Sequence, residues 1–366
     1  MSSYVSLEQQ LETLSQPTPA AVEESFVSHP PQVLGTDAED LRGLHVLFVH
    51  PSDATFIRTD LALLRTFCDV VSLRFQGKAS YPRLAAGVAR ADLVVSWFAL
   101  GFAGFASILG KTMRTKSILI AGGWDVAAMP EIGYGRLLTE WGDLTARVSL
   151  SMANRVLAFS EWSRQRIHDV APRAKAHTAY LGVDTGRFRP SAKAALVVTT
   201  GGVKEENLRR KGLRAFVDSA RSVPEAEFVL LGPQSDGSAE ELLRDAPANL
   251  SIPGWVPDNE LQEILSRAKV YVQPSYTEGF GVALVEAMAS GCVPVVTPVG
   301  AIPEVVGDAG LYVRYGDHEG LAGAIRQALG SDLGGKARQR VESHFTLSHR
   351  LNALRAAVAE VTGRVS

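Results

Sequence analysis

Short apolar segments rich in β-branched residues recur along the chain and alternate with segments of helical periodicity. In the first half, the predicted strands are 44–50, 70–73, 93–98, 117–120 and 156–159. In the second half, they are 196–199, 227–231, 270–272, 293–296 and 310–313. Buried strands that alternate with helices are typical of parallel sheets covered on both faces. The pattern therefore predicts an α/β fold with two Rossmann-like, doubly wound domains.

The periodicity stops between Leu181 and Pro190, where glycine and proline indicate a linker. A chain of 366 residues also suits two domains. We predict an N-terminal domain over 41–186 and a C-terminal domain over 187–345, facing each other across a cleft. Residues 1–40 contain four prolines among acids and are interpreted as a loosely ordered acidic extension. The last segment, 335–361, is predicted to be helical.

Residues 93–110 carry no charge and are long enough to suggest a membrane span. The run separates into a β-rich piece, 93–98, and a stretch with small residues that suits a helix. We therefore predict a buried strand followed by its crossover helix rather than a span. Contact of that helix with a membrane surface is left open.

The composition is that of an ordinary globular protein, with 46% hydrophobic and 21% charged residues. A net charge of -2 argues against general nucleic-acid binding. The charge is uneven, because residues 1–40 carry seven acids and no base, whereas 41–190 carry 19 bases and 11 acids. This basic excess would attract an anionic membrane surface or a phosphorylated acceptor, and scattered solvated bases explain it equally well.

The two cysteines, Cys68 and Cys292, have no partner at disulfide, metal-ligand or redox spacing. No basic start followed by an apolar core suggests a secretory signal. A cytoplasmic location is therefore expected, with contact at the inner membrane face left open. The sequence has no Asp-x-Asp motif and no His/Cys cluster, so we expect no metal and no cofactor.

The most informative stretch is 274–291, which places two carboxylates, Glu278 and Glu286, on either side of a glycine-rich turn. From 282 to 290 the segment is apolar except at Glu286, which is typical of a helix buried on all faces. An ionised carboxylate there is costly unless it accepts hydrogen bonds, and a sugar diol would donate them. Glu286 is thus predicted to contact a ligand; the alternative is neutralisation by a core Arg or Lys. Gly279 and Gly281 let the backbone approach a ligand at a helix start that favours phosphate.

This stretch, continued through 293–306, resembles the signature of the family-4-type retaining glycosyltransferases, which use nucleotide sugars and have the two-domain GT-B fold. The resemblance implies that a C-terminal helix, here 346–366, packs back on the N-terminal domain. It assigns Glu286 to the ribose hydroxyls of the donor. It also assigns Glu278, with the backbone of Gly279, Phe280 and Gly281, to the transferred sugar and the phosphates.

A second glycine turn, 199–204, follows a predicted strand, and the basic run 209–211 is predicted to open the next helix. Nearby cations suit a diphosphate, and bases are not the favoured charge at a helix start, which argues for a bound anion. An exposed basic helix start is the alternative. By resemblance Lys211 contacts phosphate, whereas Gly202 stands where the family has an arginine. The expected phosphate-binding residues are Gly201, Gly202, Lys204, Arg210 and Lys211, with Arg209 as a further substitute for that arginine.

The loop 254–258, before a predicted helix at 260–268, matches the family's nucleobase loop and makes Val256 a donor contact. In the first domain, a glycine turn at 120–126 carries Asp125, which we expect to point into the cleft towards a sugar or acceptor hydroxyl. Capping of the next turn is the alternative. Trp124 stands where many family members have histidine, and Asp53 and Thr55 are weaker candidates.

The resemblance implies a front-face reaction in which an oxygen of the leaving diphosphate takes the acceptor proton. Lys211, Glu278 and Asp125 are the expected catalytic residues, with a UDP-sugar as the favoured donor. The acceptor is expected to be a carbohydrate, a lipid-linked or polysaccharide hydroxyl, or a small molecule. The competing hypotheses are a non-catalytic sugar-nucleotide-binding subunit and a GT-B epimerase or phosphorylase.

Overall fold

The structure, a computed structural model, describes residues 41–364 and divides them into two units. Unit 1 comprises 41–128, 134–180 and the described residues from Leu347 onward. Unit 2 comprises Met129–Gly133 and Leu181–Thr346. Apart from the short segment Met129–Gly133, the chain passes from unit 1 to unit 2 between Tyr180 and Leu181, where the sequence predicted a boundary at 186/187. The extension predicted for 1–40 lies outside the described residues.

Unit 1 contains a six-stranded parallel sheet in the order β2-β1-β3-β4-β5-β6. Its strands are β1 (His45–His50), β2 (Asp69–Arg74), β3 (Leu93–Trp97), β4 (Lys116–Ala121), β5 (Arg155–Ala158) and β6 (Ala176–Thr178). The middle strands are buried along their length because helices cover both faces. Val46 of β1 is in register with Val70 of β2 on one side and with Leu93 of β3 on the other.

The helices of unit 1 follow the strands in regular alternation. They are α1 (Thr55–Arg65), α2 (Tyr81–Val88), α3 (Gly101–Met113), α4 (Glu140–Met152) and α5 (Glu161–Val170), with α14 (Leu347–Thr362) at the end of the chain. Short 3₁₀ turns occur at Lys78–Ser80, Trp124–Val126, Pro130–Ile132 and Arg136–Leu138. Thr139 and Ser160 cap α4 and α5 by accepting a backbone N–H with their hydroxyl oxygens, which is the usual role of such residues at a helix start.

Unit 2 repeats the architecture with the strand order β12-β11-β10-β7-β8-β9. Its strands are β7 (Ala194–Thr200), β8 (Glu227–Leu231), β9 (Leu250–Gly254), β10 (Ala268–Gln273), β11 (Val293–Val296) and β12 (Leu311–Tyr312). Its helices are α6 (Glu205–Arg210), α7 (Leu213–Ser222), α8 (Ser238–Arg244), α9 (Asp258–Arg267), α10 (Val282–Ala289), α11 (Ile302–Val306), α12 (His318–Leu329) and α13 (Leu333–His344). The core lies between these helices and the sheet, where Val270, Val272 and Phe228 are buried.

The predicted fold class, two doubly wound parallel-sheet domains, is confirmed. Each predicted strand is present, whereas β6 and β9 were missed. β6 has only three residues, and β9, Leu-Ser-Ile-Pro-Gly, contains a proline and a glycine that are typical of an edge strand or a loop. The uncharged run 93–110 folds as predicted, with β3 followed by α3. No helix among residues 41–364 combines the length and the apolar character that crossing a membrane requires.

The helical C-terminal segment consists of two helices rather than one. α13 ends at His344, and the Phe345 carbonyl then accepts the Val183 N–H at 2.8 Å, while Thr346 forms a bridge with Val183. The chain thereby leaves unit 2 beside the point at which it entered. α14 then belongs to unit 1.

A buried ion pair holds α14 against α1 within unit 1. Arg350 of α14 donates from Nε and Nη2 to the Asp60 carboxylate at 2.8 and 2.6 Å, and from Nη1 to the Ala179 carbonyl at 2.7 Å. The two side chains are 0% and 1% exposed. Bidentate geometry with a further carbonyl satisfies most of the guanidinium, which such a buried charge requires.

We expect Arg350→Met to destabilise unit 1 by about 3–5 kcal/mol, because it leaves the Asp60 carboxylate buried without its partner. The double variant Asp60→Leu/Arg350→Met should recover much of this loss, since it removes both charges. Chemical denaturation followed by circular dichroism measures the free energy of unfolding. As a control, Lys336→Met breaks the exposed pair with Asp308 and should cost less than about 1 kcal/mol. Equal losses for the Arg350 and Lys336 variants would contradict this account.

Candidate active site

The carboxyl ends of β7 and β10 bring two predicted motifs together. These strands are neighbours in the sheet, with Tyr271 in register with Val198. The glycine turn after β7 and the glutamate-bearing loop after β10 consequently leave the same edge of the sheet. The Tyr271 hydroxyl and the Thr200 Oγ1 lie 2.7 Å apart across the two strands.

Lys211 lies over the first glycine turn. A Cβ added to Gly201 would lie 2.7 Å from the Lys211 Cδ, so the alkyl chain of the lysine occupies the space that a side chain at 201 would need. The ammonium lies 3.9 Å from the Glu278 Oε2, and the two side chains are 21% and 18% exposed. Burial lowers the pKa of Lys211, the Glu278 carboxylate opposes this effect, and Arg210 adds to it. A cation in these surroundings has little water and interacts strongly with any anion placed beside it.

The basic run 209–211 ends a helix, and the prediction that it opens one is wrong. Arg209 and Arg210 form the last turn of α6, Lys211 is its C-cap, and Gly212 adopts a left-handed conformation before α7 begins. A Cβ on Gly212 would lie 2.2 Å from the Pro274 carbonyl oxygen, so only glycine allows this approach. Cations are favoured at a helix C-terminus. A bound anion was expected because bases are unfavourable at a helix start, and that reason no longer applies.

The other predicted cations have protein partners. Arg210 donates from Nη2 and Nε to the Asn207 Oδ1 at 2.7 and 3.2 Å, and the Lys204 ammonium lies 2.9 Å from the Glu206 Oε2. Asn207 also donates to the Gly202 carbonyl at 2.8 Å and so fixes the turn. A Cβ on Gly202 would meet only ordinary contacts, the nearest at 3.6 Å. Space therefore does not require glycine at the position where the family has arginine.

Glu278 is held by Gln273, the last residue of β10. The Gln273 amide donates to the Glu278 Oε2 at 3.3 Å. Behind Glu278, Gly300 adopts φ +57°, and a Cβ there would lie 2.2 Å from the Glu278 carbonyl oxygen, which instead accepts the Ala301 N–H at 2.9 Å. The sequence reasoning missed Gln273. Its signal was a polar residue directly after the predicted strand 270–272.

The turn from Glu278 into α10 presents backbone rather than side chains. Gly281 precedes the helix with φ +88°. The Phe280 side chain is 2% exposed and packs edge-on against Phe345, with 5.6 Å between ring centroids. Any ligand contact of Phe280 therefore uses its backbone, in agreement with the role that the resemblance implies.

Glu286 projects from α10 with only partial exposure. Burial raises its pKa to about 8; the negative charge of Asp258 adds to this effect, and Arg187 opposes it. Arg187 is itself paired with Asp258 at 3.2 Å. Among the described residues, no hydrogen bond or ion pair reaches the Glu286 carboxylate. The contacts therefore do not support the alternative that a core Arg or Lys neutralises Glu286.

Tyr271, in strand β10, interacts electrostatically with both glutamates. It is fully buried, and its pKa is raised by burial and further by the charges of Glu286 and Glu278. Both carboxylates therefore act on the same phenol, which bonds to Thr200. Tyr271 and Thr200 were not predicted as site residues, because each fits an ordinary strand pattern.

Val256 lies in the loop after β9 and is half-buried beside Trp255, which is 40% exposed. Gly232, after β8, connects this loop with the first glycine turn. Its N–H donates to the Gly254 carbonyl at 2.9 Å, and a Cβ at 232 would lie 2.2 Å from the Gly201 carbonyl oxygen. The loops after β7, β8 and β9 thus form one continuous edge.

In unit 1, Asp125 is fully buried. Its carboxylate accepts the backbone N–H groups of Ala99 at 2.8 Å, Gly123 at 2.9 Å and Gly122 at 3.2 Å. Burial raises its pKa, and these bonds oppose the shift. The carboxylate is thus held by backbone that precedes it and by the segment after β3 rather than directed at a ligand. None of these three donors belongs to the turn that follows Asp125, so capping of that turn is not observed either. Asp53 is exposed and pairs with Arg74 at 2.9 Å.

No group of three or more His, Cys, Asp or Glu side chains within 41–364 is arranged to hold a metal ion. Both cysteines are buried free thiols.

Comparison with known proteins places unit 2 in a family. Residues 194–331 match the family model described as "Glycosyl transferases group 1". The alpha-maltose-1-phosphate synthase of Mycolicibacterium smegmatis is 28% identical over 259 residues, which is 60% of this chain and 65% of that protein. The chain thus spans just under two thirds of this relative.

Solved structures show the same fold at low identity. The sucrose-phosphate synthase of Thermosynechococcus elongatus superposes with a TM-score of 0.73 at 17% identity, over 88% of this chain and 100% of that one. HepE of Anabaena in complex with UDP gives a TM-score of 0.71 at 15% identity, over 87% and 100%. The resemblance found in the sequence is thereby confirmed: residues 194–331 match the glycosyl transferases group 1 domain, and the two parallel sheets have the GT-B fold.

Proposed function

We propose that the chain is a retaining glycosyltransferase that moves a sugar from a nucleoside diphosphate sugar to an acceptor hydroxyl. The observation that carries the proposal is that Lys211, half-buried over a glycine turn, and Glu286, whose carboxylate has no hydrogen-bond or ion-pair partner within residues 41–364, lie on elements that follow neighbouring strands of one sheet. A diphosphate would give Lys211 an anionic partner besides Glu278, and a ribose diol has the donors that Glu286 lacks. The group 1 family match agrees with this chemistry.

The donor is proposed to be a UDP-sugar. The Anabaena structure holds UDP on the same fold, which supports uracil among the possible bases. Glu286 accepts hydrogen bonds from the ribose hydroxyls, and the loop around Val256 borders the base. The backbone N–H groups of the turn into α10 face the phosphates, where the helix dipole favours negative charge.

The reaction breaks the bond between the anomeric carbon and the diphosphate oxygen and forms a bond from the same face to the acceptor oxygen. An oxygen of the leaving diphosphate takes the acceptor proton, so no protein base is required. Lys211 stabilises the charge that develops on the diphosphate, and Glu278, fixed by Gln273, orients the transferred sugar. The proposed mechanism uses no metal ion and no cofactor. Because Asp125 is fully buried, the proposed mechanism gives it no contact with the reacting atoms.

The first prediction concerns nucleotide binding. Thermal unfolding with UDP, GDP, ADP and dTDP in parallel should show stabilisation by one nucleotide, about 2.7 kcal/mol at 100 times its dissociation constant. Glu286→Ala should weaken this effect, because the ribose loses its acceptor. Glu319→Ala, at an exposed acid in the first turn of α12, is the matched control and should retain it. If no nucleotide stabilises the protein, the proposal fails; binding without sugar transfer would favour the non-catalytic subunit.

The second prediction concerns Lys211. Lys211→Ala should lower kcat by about 10²- to 10³-fold with little change in nucleotide affinity, because the ammonium acts on charge that forms in the transition state. Gly201→Ala should also lower kcat, since the added methyl group displaces the lysine chain without removing its charge. Release of UDP from UDP-sugars with a panel of acceptors measures turnover, and Lys336→Ala serves as the control. Unchanged turnover in Lys211→Ala would remove this residue from the mechanism.

The third prediction concerns pH. A ribose diol donates to the ionised form of Glu286, whose pKa is about 8 in the free protein, so nucleotide affinity should rise with pH up to about 8 and then level off. The free protein should show the opposite trend. Its folded state retains the Glu286 proton above the unfolded pKa, so the free energy of unfolding falls as pH rises from that value to about 8. Glu286→Gln should abolish both trends in calorimetric titrations and denaturation curves compared with wild type. Identical pH profiles for the two proteins would contradict the assignment.

A further inference from the structure

Exposed large apolar side chains are concentrated on one part of unit 1. Among the described residues, six of the eleven such side chains fall between positions 105 and 144. Trp141 is 71% exposed, and Leu144 and Ile108 are 53% and 47% exposed. We call the set the apolar strip, which consists of Phe105, Ile108, Met113, Leu138, Trp141 and Leu144.

The strip lies on two neighbouring helices, α3 and α4, that run in the same direction. The Ser149 hydroxyl donates to the Leu100 carbonyl at 2.8 Å near the start of α3, and the Lys111 ammonium lies 3.5 Å from the Met152 Sδ near its end. The inward faces of both helices are buried in the core. Residues of the strip are spaced at i and i+3, at 105 and 108 on α3 and at 141 and 144 on α4, so each pair lies on the outward face of its own helix.

The surface around the α3 part of the strip is basic. Residues 75–120 contain six bases and a single acid, Asp92, which lies 3.4 Å from His45. Lys111 and Arg114 are exposed and flank Met113 at the end of α3, and Arg83 is exposed on α2. Of the acids on α4, Asp143 pairs with Arg147 at 2.7 Å, whereas Glu140 is exposed beside Trp141. Bases therefore predominate beside α3 and not at the start of α4.

Exposed tryptophan, aliphatic side chains and unpaired bases on one face are the features with which proteins bind the surface of an anionic bilayer. We propose that the apolar strip and its flanking bases dock unit 1 on an anionic lipid membrane, with the tryptophan at headgroup depth and the bases on lipid phosphates.

The position of the strip suggests its use. α3 follows β3 and α4 precedes β5, so both helices begin at the carboxyl edge of the sheet, where ligands bind in such folds. Trp141 lies in the first turn of α4. A docked protein would receive at this edge the head of an acceptor whose hydrocarbon part stays in the bilayer. The docking stands by itself, whereas the lipid-linked acceptor rests on the proposed transferase function.

The test is flotation of the full chain with unilamellar vesicles of phosphatidylcholine alone or with about one third phosphatidylglycerol. Binding should require the anionic lipid and weaken with salt. Trp141→Ser/Ile108→Ser should abolish it, and Lys111→Gln/Arg114→Gln should lower the partition constant about 25-fold, about fivefold for each base. Leu243→Ser, at an exposed apolar residue of unit 2, is the control and should bind as wild type.

Three outcomes would overturn the inference. The first is that the protein does not bind anionic vesicles, and the second is that the Trp141→Ser/Ile108→Ser variant still binds them. The third is that light scattering without lipid shows a dimer that this variant no longer forms, because the surface would then bind a second copy of the chain. Thermal shifts with UDP on the same variants distinguish the two proposals. Docking that fails while nucleotide binding persists refutes only the membrane surface, and the reverse result refutes only the donor site.

Discussion

Close backbone approach at a few glycines is the constraint on which the candidate site depends. At Gly212, Gly232 and Gly300, a Cβ would lie 2.2 Å from the carbonyl oxygen of a different loop, and all three have positive φ. Only glycine, which has no Cβ and adopts positive φ readily, fits such positions. These contacts fasten the turn after β7 to the loops after β8 and β10, and the β10 loop to the segment after β11. The position of Lys211 beside Glu278 follows from them, because Gly212 fixes where α6 ends, and Lys211 is the C-cap residue of that helix.

Glu286 carries a carboxylate for which residues 41–364 supply no hydrogen-bond or ion-pair partner. Burial together with repulsion from Asp258 holds its pKa near 8. The pKa of Lys211 is displaced downward by the same loss of water. Side chains whose charged forms are destabilised by burial gain the most interaction free energy when a ligand supplies hydrogen-bond donors and opposite charge. This arrangement is expected of a binding site rather than of a structural core.

Patterns that depend on burial and local chain chemistry could be predicted from the sequence. The long β-branched strands and the buried helix around Glu286 were recognisable because their periodicity is strong. β6 and β9 were not, because three residues carry no period and proline and glycine resemble a loop. The role of 209–211 was misjudged since the six-residue helix α6 is too short to show amphipathicity, so its last turn was read as the first turn of the next helix. Asp125 was expected to contact a ligand because it lies in a glycine turn after a strand. Three backbone N–H groups from two segments hold its carboxylate instead, a tertiary arrangement that no local pattern encodes. Gln273 and Tyr271 require knowledge of which strands are neighbours.

The ion pair between Asp60 and Arg350 also has a consequence for the order in which the protein is made. The partners are 290 residues apart in the chain, on either side of the whole of unit 2. At ordinary rates of synthesis, the arginine emerges from the ribosome roughly 15 to 60 seconds after the aspartate. During that interval, the groove of unit 1 that will receive α14 contains a carboxylate without its partner. The six strands of the unit 1 sheet precede unit 2 in the chain, so only the docking of α14 has to wait until unit 2 has been synthesised.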